Sequence, residues 1–426
     1  MHKKSLKMSS NSIRTLVLTN HLPYPPMGGS ALRNWQNINI LMKLGPVAIF
    51  SISNHYEELK YYSQYPPGVT LWSNNYLNKL STQSSFFQKK LWWLQPRKHY
   101  VFDSLYRDYI YQELEKTLLK FQPTLVVFAE LCLYRYLDVI NCEKCFTILD
   151  EHNIEASLFA ESQSSVKGLK SKLRASAEIN KFKYIERDFI RQVNQVWTCS
   201  VADACLLHNM YGWFPKVRVI PNGIDVAHYE CVRLGQCTLP DGLRQIPWTL
   251  LFTATFGYQP NQVAAQLLIE QIFPRLVALY PDCCLILAGK LPTPGMQEAA
   301  KQNPKIIVTG LVEDIRPYLA ISTVVITPLL QGGGSRLKIL EAFASGRPVV
   351  STTKGAEGLK AQDGQHLLIR NSVDELVAGV CELWTDCSLK QTLTKNAYEL
   401  VKAEYSWESV GKEVKQSLQK IFYDVK

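Results

Sequence analysis

From residue 15 to residue 369, short apolar runs of strand length alternate with stretches of helical spacing. That alternation restricts the chain to α/β architectures built on parallel sheets. Strands are expected at 15–19, 47–51, 125–129, 147–150, 196–200 and 217–220, and again at 249–254, 285–288, 306–309, 324–327, 349–351 and 366–369. These are two sets of comparable size, so two sheets are expected. The segment between them, 221–247, carries Pro221, Gly223, Gly235, Pro240, Gly242 and Pro247, the punctuation of turns and a linker.

Length agrees with two cores, because 426 residues exceed what one ordinary core serves, and 46% hydrophobic with 20% charged residues is the composition of a globular protein. The expected division is 1–225, 226–405 and a closing helix at 406–426. In that helix Trp407, Val410, Val414, Leu418 and Ile421 form one apolar face that must pack on something. No window of 18 apolar residues exists, so no bilayer-spanning segment is expected. The opening stretch, interrupted by Arg14, reads as a tail before a strand rather than as a signal peptide. Eleven cysteines without repeating spacing, and one Cys142-x-x-Cys145 lacking a second pair, read as reduced, mostly buried thiols of a cytosolic protein.

The net charge of +10 is one-sided: residues 1–100 hold 12 Lys and Arg against 2 Asp and Glu, while the rest of the chain is balanced. Such an excess points to an anionic partner. Between Phe86 and Phe102, Lys89, Lys90, Arg97 and Lys98 interleave with Phe87, Trp92 and Trp93, a pattern that suits a membrane interface and equally suits a core helix with solvated lysines. No nucleic-acid reading motif occurs, so no nucleic-acid partner is expected.

The chemistry concentrates after the strand at 324–327, where Gly332, Gly333, Gly334 and Ser335 precede a helix from about Arg336. Three glycines let backbone approach a ligand, and a helix start offers free amides to phosphate. Arg336 and Lys338 place two cations in the first turn, where they oppose the helix dipole, and Glu341 follows one turn on, positioned to accept from ribose hydroxyls. A plain glycine loop capping a helix would account for the glycines and not for these three side chains. Neither the P-loop nor the Gly-x-Gly-x-x-Gly spacing is present.

The stretch PLLQGGGSRLKILEAFASGRPVVST, followed by GAEGL at 355–359, resembles the donor site of the retaining glycosyltransferases of family 4. VIPNGID (219–225), FTATFGYQPNQVAA (252–265), LILAGK (285–290), VTGLVEDIRPYLAIS (308–322) and the glycine loop PYPPMGGSALRNWQNINILMKLG (23–45) extend the likeness over nearly the whole chain. The resemblance implies a GT-B fold of two Rossmann-like domains facing a cleft, the first binding acceptor, the second nucleotide sugar, and the closing helix crossing back to the first domain. It further implies donor contacts at Gly257, Gly310, Val312, Gly332, Gly333, Gly334, Ser335 and Glu341, with Arg336 and Lys338 on the diphosphate. His152 in DEHNIE would lie near the sugar and acceptor, beside Gly28, Gly29 and Asn153, although Asn153 also reads as a helix cap before Glu155. Gly333 stands where the family often has a first glutamate, and Phe256, Tyr258 and Gln259 stand where many members have an Arg and a Lys.

The expected activity is transfer of a hexose from a nucleotide diphosphate sugar to a glycan or lipid-linked glycan in cell-surface polysaccharide or glycoconjugate synthesis. His152, Arg336, Lys338 and Glu341 would be the catalytic set, without metal or cofactor, at the cytoplasmic face of a membrane. The alternatives are a degenerate, non-catalytic binding or scaffold protein and, less well suited to the motifs, a nucleotide-sugar epimerase.

Overall fold

The computed structural model describes residues 13–26, 28–52, 65–66, 69–73, 102, 105–140, 145–163, 168–214, 216–240, 245–334 and 336–422. The chain forms two compact units, Met1–Pro221 with Gly411–Lys426, and Asn222–Val410.

The first unit runs β1 (Thr15–Thr19), α1 (Gly29–Met42), β2 (Val47–Ser51), β3 (Val69–Ser73), α2 (Asp108–Phe121), β4 (Leu125–Phe128), β5 (Phe146–Glu151), α3 (Glu155–Ser162), α4 (Leu169–Gln192), β6 (Gln195–Thr198), α5 (Val201–Tyr211) and β7 (Val217–Val219). Its strands form one seven-stranded parallel sheet in the order β3-β2-β1-β4-β5-β6-β7. Every residue of β1, β2 and β4 is buried, as a sheet covered on both faces requires. β3 escapes the sequence reading for a physical reason: it is an edge strand with Thr70 exposed, so it carries no continuous apolar run.

The second unit runs α6 (Glu230–Arg233), β8 (Thr249–Thr253), α7 (Gln259–Leu267), α8 (Phe273–Leu279), β9 (Cys284–Ala288), α9 (Pro294–Gln302), β10 (Ile306–Gly310), α10 (Arg316–Ile321), β11 (Val324–Thr327), α11 (Leu337–Ala344), β12 (Val349–Ser351), β13 (Leu368–Ile369), α12 (Val373–Thr385) and α13 (Cys387–Leu400). Its sheet is parallel in the order β10-β9-β8-β11-β12-β13. Successive residues of β8 feed opposite cores: Leu250 and Phe252 pack with Leu285 and Ile326, whereas Leu251 packs with Ile286 and Val325. Each fully buried Leu or Ile contributes roughly 1.5–3 kcal/mol. Both sheets therefore repeat the Rossmann strand order, and in each the winding direction reverses between the first strand and its parallel neighbour of the second half.

The last helix, α14 (Trp407–Phe422), belongs to the first unit from Gly411 onward. Val414 and Leu418 of its apolar stripe are buried. A Cβ on Gly411 would come within 3.7 Å of Ile40 on α1, and Gln195 on β6 donates to the Ser417 carbonyl at 3.4 Å. The side chain of Ile421 lies outside the described residues.

The expectation of mostly buried thiols is corrected. Of the ten described cysteines only Cys145, Cys283 and Cys284, which lie in or immediately before a core strand, are buried, and Cys205 and Cys387 are exposed, because the others sit on helix flanks and loops. The basic aromatic stretch between Phe86 and Phe102 lies outside the described residues except for Phe102, which packs 4.8 Å from Phe182. No described helix is long and apolar enough to cross a membrane.

Candidate functional site

In the second sheet the winding reverses between β8 and β11, and open α/β sheets bind ligands outside the carboxyl ends of the strands at such a point. Two segments leave there, one after Thr253 and one after Thr327, and they touch. Gln331 donates to the Gln259 side chain at 2.8 Å, and a Cβ on Gly332 would fall 2.8 Å from both the Tyr258 hydroxyl and Pro260. Gly332 has φ +95°, so both the space and the backbone demand glycine. The run then enters α11, whose N-cap position, Arg336, makes no side-chain cap, leaving the first amides available to a ligand.

The three charged side chains of α11 separate into two roles. Arg336 is buried and turned onto its own chain: its guanidinium donates to the Glu357 carboxylate at 3.1 Å, the Glu357 carbonyl at 3.3 Å, and the carbonyls of Gly332 and Gly333 at 3.3 and 3.4 Å. It shapes the glycine run. Lys338 reaches over the ring of Phe252, 4.6 Å from the centroid, and donates to the Asn261 oxygen at 3.1 Å. Asn261 is oriented by its own donation to the Thr255 carbonyl at 2.9 Å. Burial, with Arg336 nearby, lowers Lys338 to a pKa of about 7. Burial likewise raises Glu341 to about 7, against the opposing pull of the Tyr229 hydroxyl, which donates to it at 3.2 Å, and of Lys338. An ammonium and a carboxylate three residues apart, both pushed toward neutrality, mark a desolvated polar site.

Of the remaining donor-side residues, Gly310 ends β10 with φ +68° and its carbonyl accepts from Gly289 at 3.2 Å. Val312 follows, half-buried. Gly257 lies where a Cβ would press to 2.8 Å on the Leu291 side chain. Ser335 is outside the described residues.

The first sheet carries a different constellation at its carboxyl edge. Gly28, with φ +117°, sits at the N-cap position of α1 and Gly29 begins that helix. One turn on, Arg33 donates through Nε to both oxygens of the Asp150 carboxylate at 3.0 and 3.1 Å and through Nη1 to the Ile220 carbonyl at 2.8 Å. Asn37 adds a bond to Asp150 at 2.8 Å. Burial would push the Asp150 carboxyl up; Arg33 and the adjacent His152 hold it below its ordinary range. Nε2 of His152 stands 3.6 Å from Asp150, beyond a hydrogen bond. Both ring nitrogens are buried without a hydrogen-bond partner among the described residues. Around it, burial raises Glu151, Glu155 and Glu186, and Glu186, at about 7, accepts from Tyr211 and from the Ala156 amide. The reading of Asn153 as a helix cap is corrected. The cap position is Ile154, and Asn153 donates to the Glu155 carboxylate at 3.3 Å, because the chain leaves the strand one residue later than the cap pattern implies.

Asn261, Phe252, Tyr229 and Glu357 complete the α11 site and were not singled out from the sequence. Asn261, Phe252 and Glu357 lie inside quoted motifs; Tyr229, 112 positions from Glu341, gives no local signal. Among the described residues no three His, Cys, Asp or Glu side chains are grouped to hold a metal ion.

Comparison with known proteins bears on this geometry. Residues 247–386, which contain α11 and its partners, match the family described as Glycosyl transferases group 1. An uncharacterized 44.6 kDa protein in the cps region of Klebsiella pneumoniae is 22% identical, over 93% of this chain and 97% of its own. The Anabaena HepE protein, crystallised with UDP and glucose, superposes with a TM-score of 0.65 at 15% identity, covering 95% of this chain and 99% of that one. Sucrose-phosphate synthase from Thermosynechococcus elongatus superposes with a TM-score of 0.71 at 14% identity over 97% of this chain and all 100% of that one. These structural likenesses show the GT-B fold, two Rossmann-like domains of parallel sheet.

Proposed function

We propose that this chain, a glycosyltransferase whose second unit carries a group 1 domain, transfers a hexose from a nucleoside diphosphate sugar to a glycan or lipid-linked glycan at the inner face of a membrane. In this reading it is a family 4 enzyme that retains anomeric configuration and uses no catalytic metal. One observation carries the proposal: Lys338 and Glu341 stand one helical turn apart at the head of α11, at the winding reversal of the second sheet, in a desolvated setting.

The two charges divide a nucleoside diphosphate between them. Lys338 and the amides of the glycine run take the phosphate oxygens, and Glu341 accepts from the ribose hydroxyls. As the bond to the anomeric carbon breaks, negative charge grows on the departing diphosphate, and donors already fixed in place stabilise it without reorganising. Arg336 acts on the ligand only through the loop it shapes. The acceptor belongs to the first unit, where Gly28 and Gly29 open the strand-to-helix loop and both ring nitrogens of His152 lack a hydrogen-bond partner among the described residues. The UDP held by the Anabaena protein supports the donor class, and the cps-region relative supports polysaccharide synthesis as the setting.

Gly333, at a position where similar enzymes often carry a glutamate, favours a second reading as a non-catalytic binding protein. A panel of UDP-, GDP- and dTDP-hexoses, assayed for hydrolysis or transfer, separates the two. Turnover with one donor class that falls by about 10²-fold in Glu341→Ala is the expected result. Absence of turnover with every donor would overturn the first reading, and absence of nucleoside diphosphate binding as well is the result the second predicts.

A further inference from the structure

The start of α4 is exposed over a turn and a half. Residues 168–174 are all exposed, and the helix first buries a side chain at Ala175. Leu169 and Leu173, at i and i+4, are 77% and 65% exposed, and further along the same face Tyr184 is 39% exposed. Lys170, Lys172 and Arg174 flank the leucines, and no Asp or Glu occurs from Gln163 to Ala177.

Placement adds to composition. β5 and β6 are adjacent and parallel, so α4 must run back against the strand direction and begin at the carboxyl edge of the sheet, where β5 ends in Asp150 and Glu151 beside His152. At about 1.5 Å per residue, the 24 residues of α4 are roughly 36 Å long, against about 20 Å for the six residues of β5. The surplus at the helix start projects past that edge. Two leucines ringed by three cations at the end of a long helix fit a surface that is anionic outside and apolar a few ångströms deeper.

We propose that the start of α4, with Leu169 and Leu173 as insertion points and Lys170, Lys172 and Arg174 as the electrostatic ring, docks the first unit on an anionic lipid bilayer. The acceptor edge of its sheet is thereby held at the membrane. This deepens the acceptor side of the function proposed above and rests on it only for the identity of the acceptor; docking itself does not need turnover.

Flotation of the full chain with vesicles tests it, using phosphatidylcholine alone and phosphatidylcholine mixed with phosphatidylglycerol, at low and high salt. The wild type is expected to float with the anionic vesicles only, and less at high salt. Lys170→Gln/Lys172→Gln/Arg174→Gln should lower partitioning by roughly a hundredfold, since each cation near an anionic surface contributes about a fivefold preference. Leu169→Ser/Leu173→Ser should leave weaker binding that high salt removes entirely. All five positions are exposed, so both variants should melt like the wild type and hydrolyse donor in solution at the same rate. No flotation of the wild type on anionic vesicles at low salt would overturn the docking. So would flotation that neither variant alters, or a leucine variant that dissociates a complex between copies of the chain while vesicles are not bound. Donor turnover, read in solution without vesicles, reports separately on the proposed activity.

Discussion

The two sheets share a strand order and differ in what they hold at their carboxyl edges. At the second, Lys338 and Glu341 face each other across one helical turn, each pulled toward neutrality, and Lys338 has a single hydrogen-bond partner described, the Asn261 oxygen. At the first, Asp150 is locked by Arg33 and Asn37 in a buried pair with four short contacts. One edge keeps a charge poorly compensated; the other closes its central charge and leaves beside it a histidine with no hydrogen-bond partner among the described residues. A shared architecture thus fixes where a ligand can lie, and the compensation of individual charges decides what kind it can be.

Removing a charge from each edge should have opposite outcomes. Asp150→Ala strands Arg33 in the interior, and breaking a buried pair in this way costs about 3–5 kcal/mol, read as loss of stability in chemical denaturation. Lys338→Met should leave stability unchanged or raised. The sign follows from the pKa: folding lowers Lys338 from 10.5 to about 7, so the unfolded chain binds the extra proton between those values. The charge therefore penalises the fold fully below about pH 7 and not at all above 10.5, and the benefit of Met should be greatest at pH 7 and below. Equal losses from both variants would erase the distinction between the edges.

A smaller effect separates loop shape from charge. Gly332→Ala puts a Cβ against Tyr258 and Pro260 at a backbone angle that L-residues resist, so the glycine run must shift. A loss of roughly 1–3 kcal/mol in nucleoside diphosphate affinity is expected, with Lys338 and Glu341 untouched. Calorimetric titration with UDP measures it, and unchanged affinity would mean that the run is only a connection.

Much of this was readable from residues. Twelve of the thirteen described strands follow from apolar runs, because parallel strands largely covered on both faces cannot hide their composition. The edge strand β3 was not readable, since an exposed Thr70 breaks the run. The glycine run, Lys338 and Glu341 were legible as a group because cations at a helix start oppose the dipole and need a reason. The division of labour between Arg336 and Lys338 was not, because Glu357 comes from 21 residues away and nothing in local spacing says which cation it takes. Tyr229 and Asn261 were missed on the same ground: only the sheet brings them to α11.

The central claim is that Lys338 is the cation that meets the diphosphate. UDP affinity measured by calorimetry from pH 7 to pH 9 tests it most directly. With a free-state pKa of about 7, Lys338 must take up a proton to bind an anion at higher pH, so wild-type affinity should fall by tenfold or more across that range, at about 1.4 kcal/mol per unit. Proton uptake should be visible in buffers of different ionisation enthalpy, and Lys338→Met should bind weakly with no such slope. A wild-type affinity that is flat over this range and equal to that of Lys338→Met would contradict the assignment.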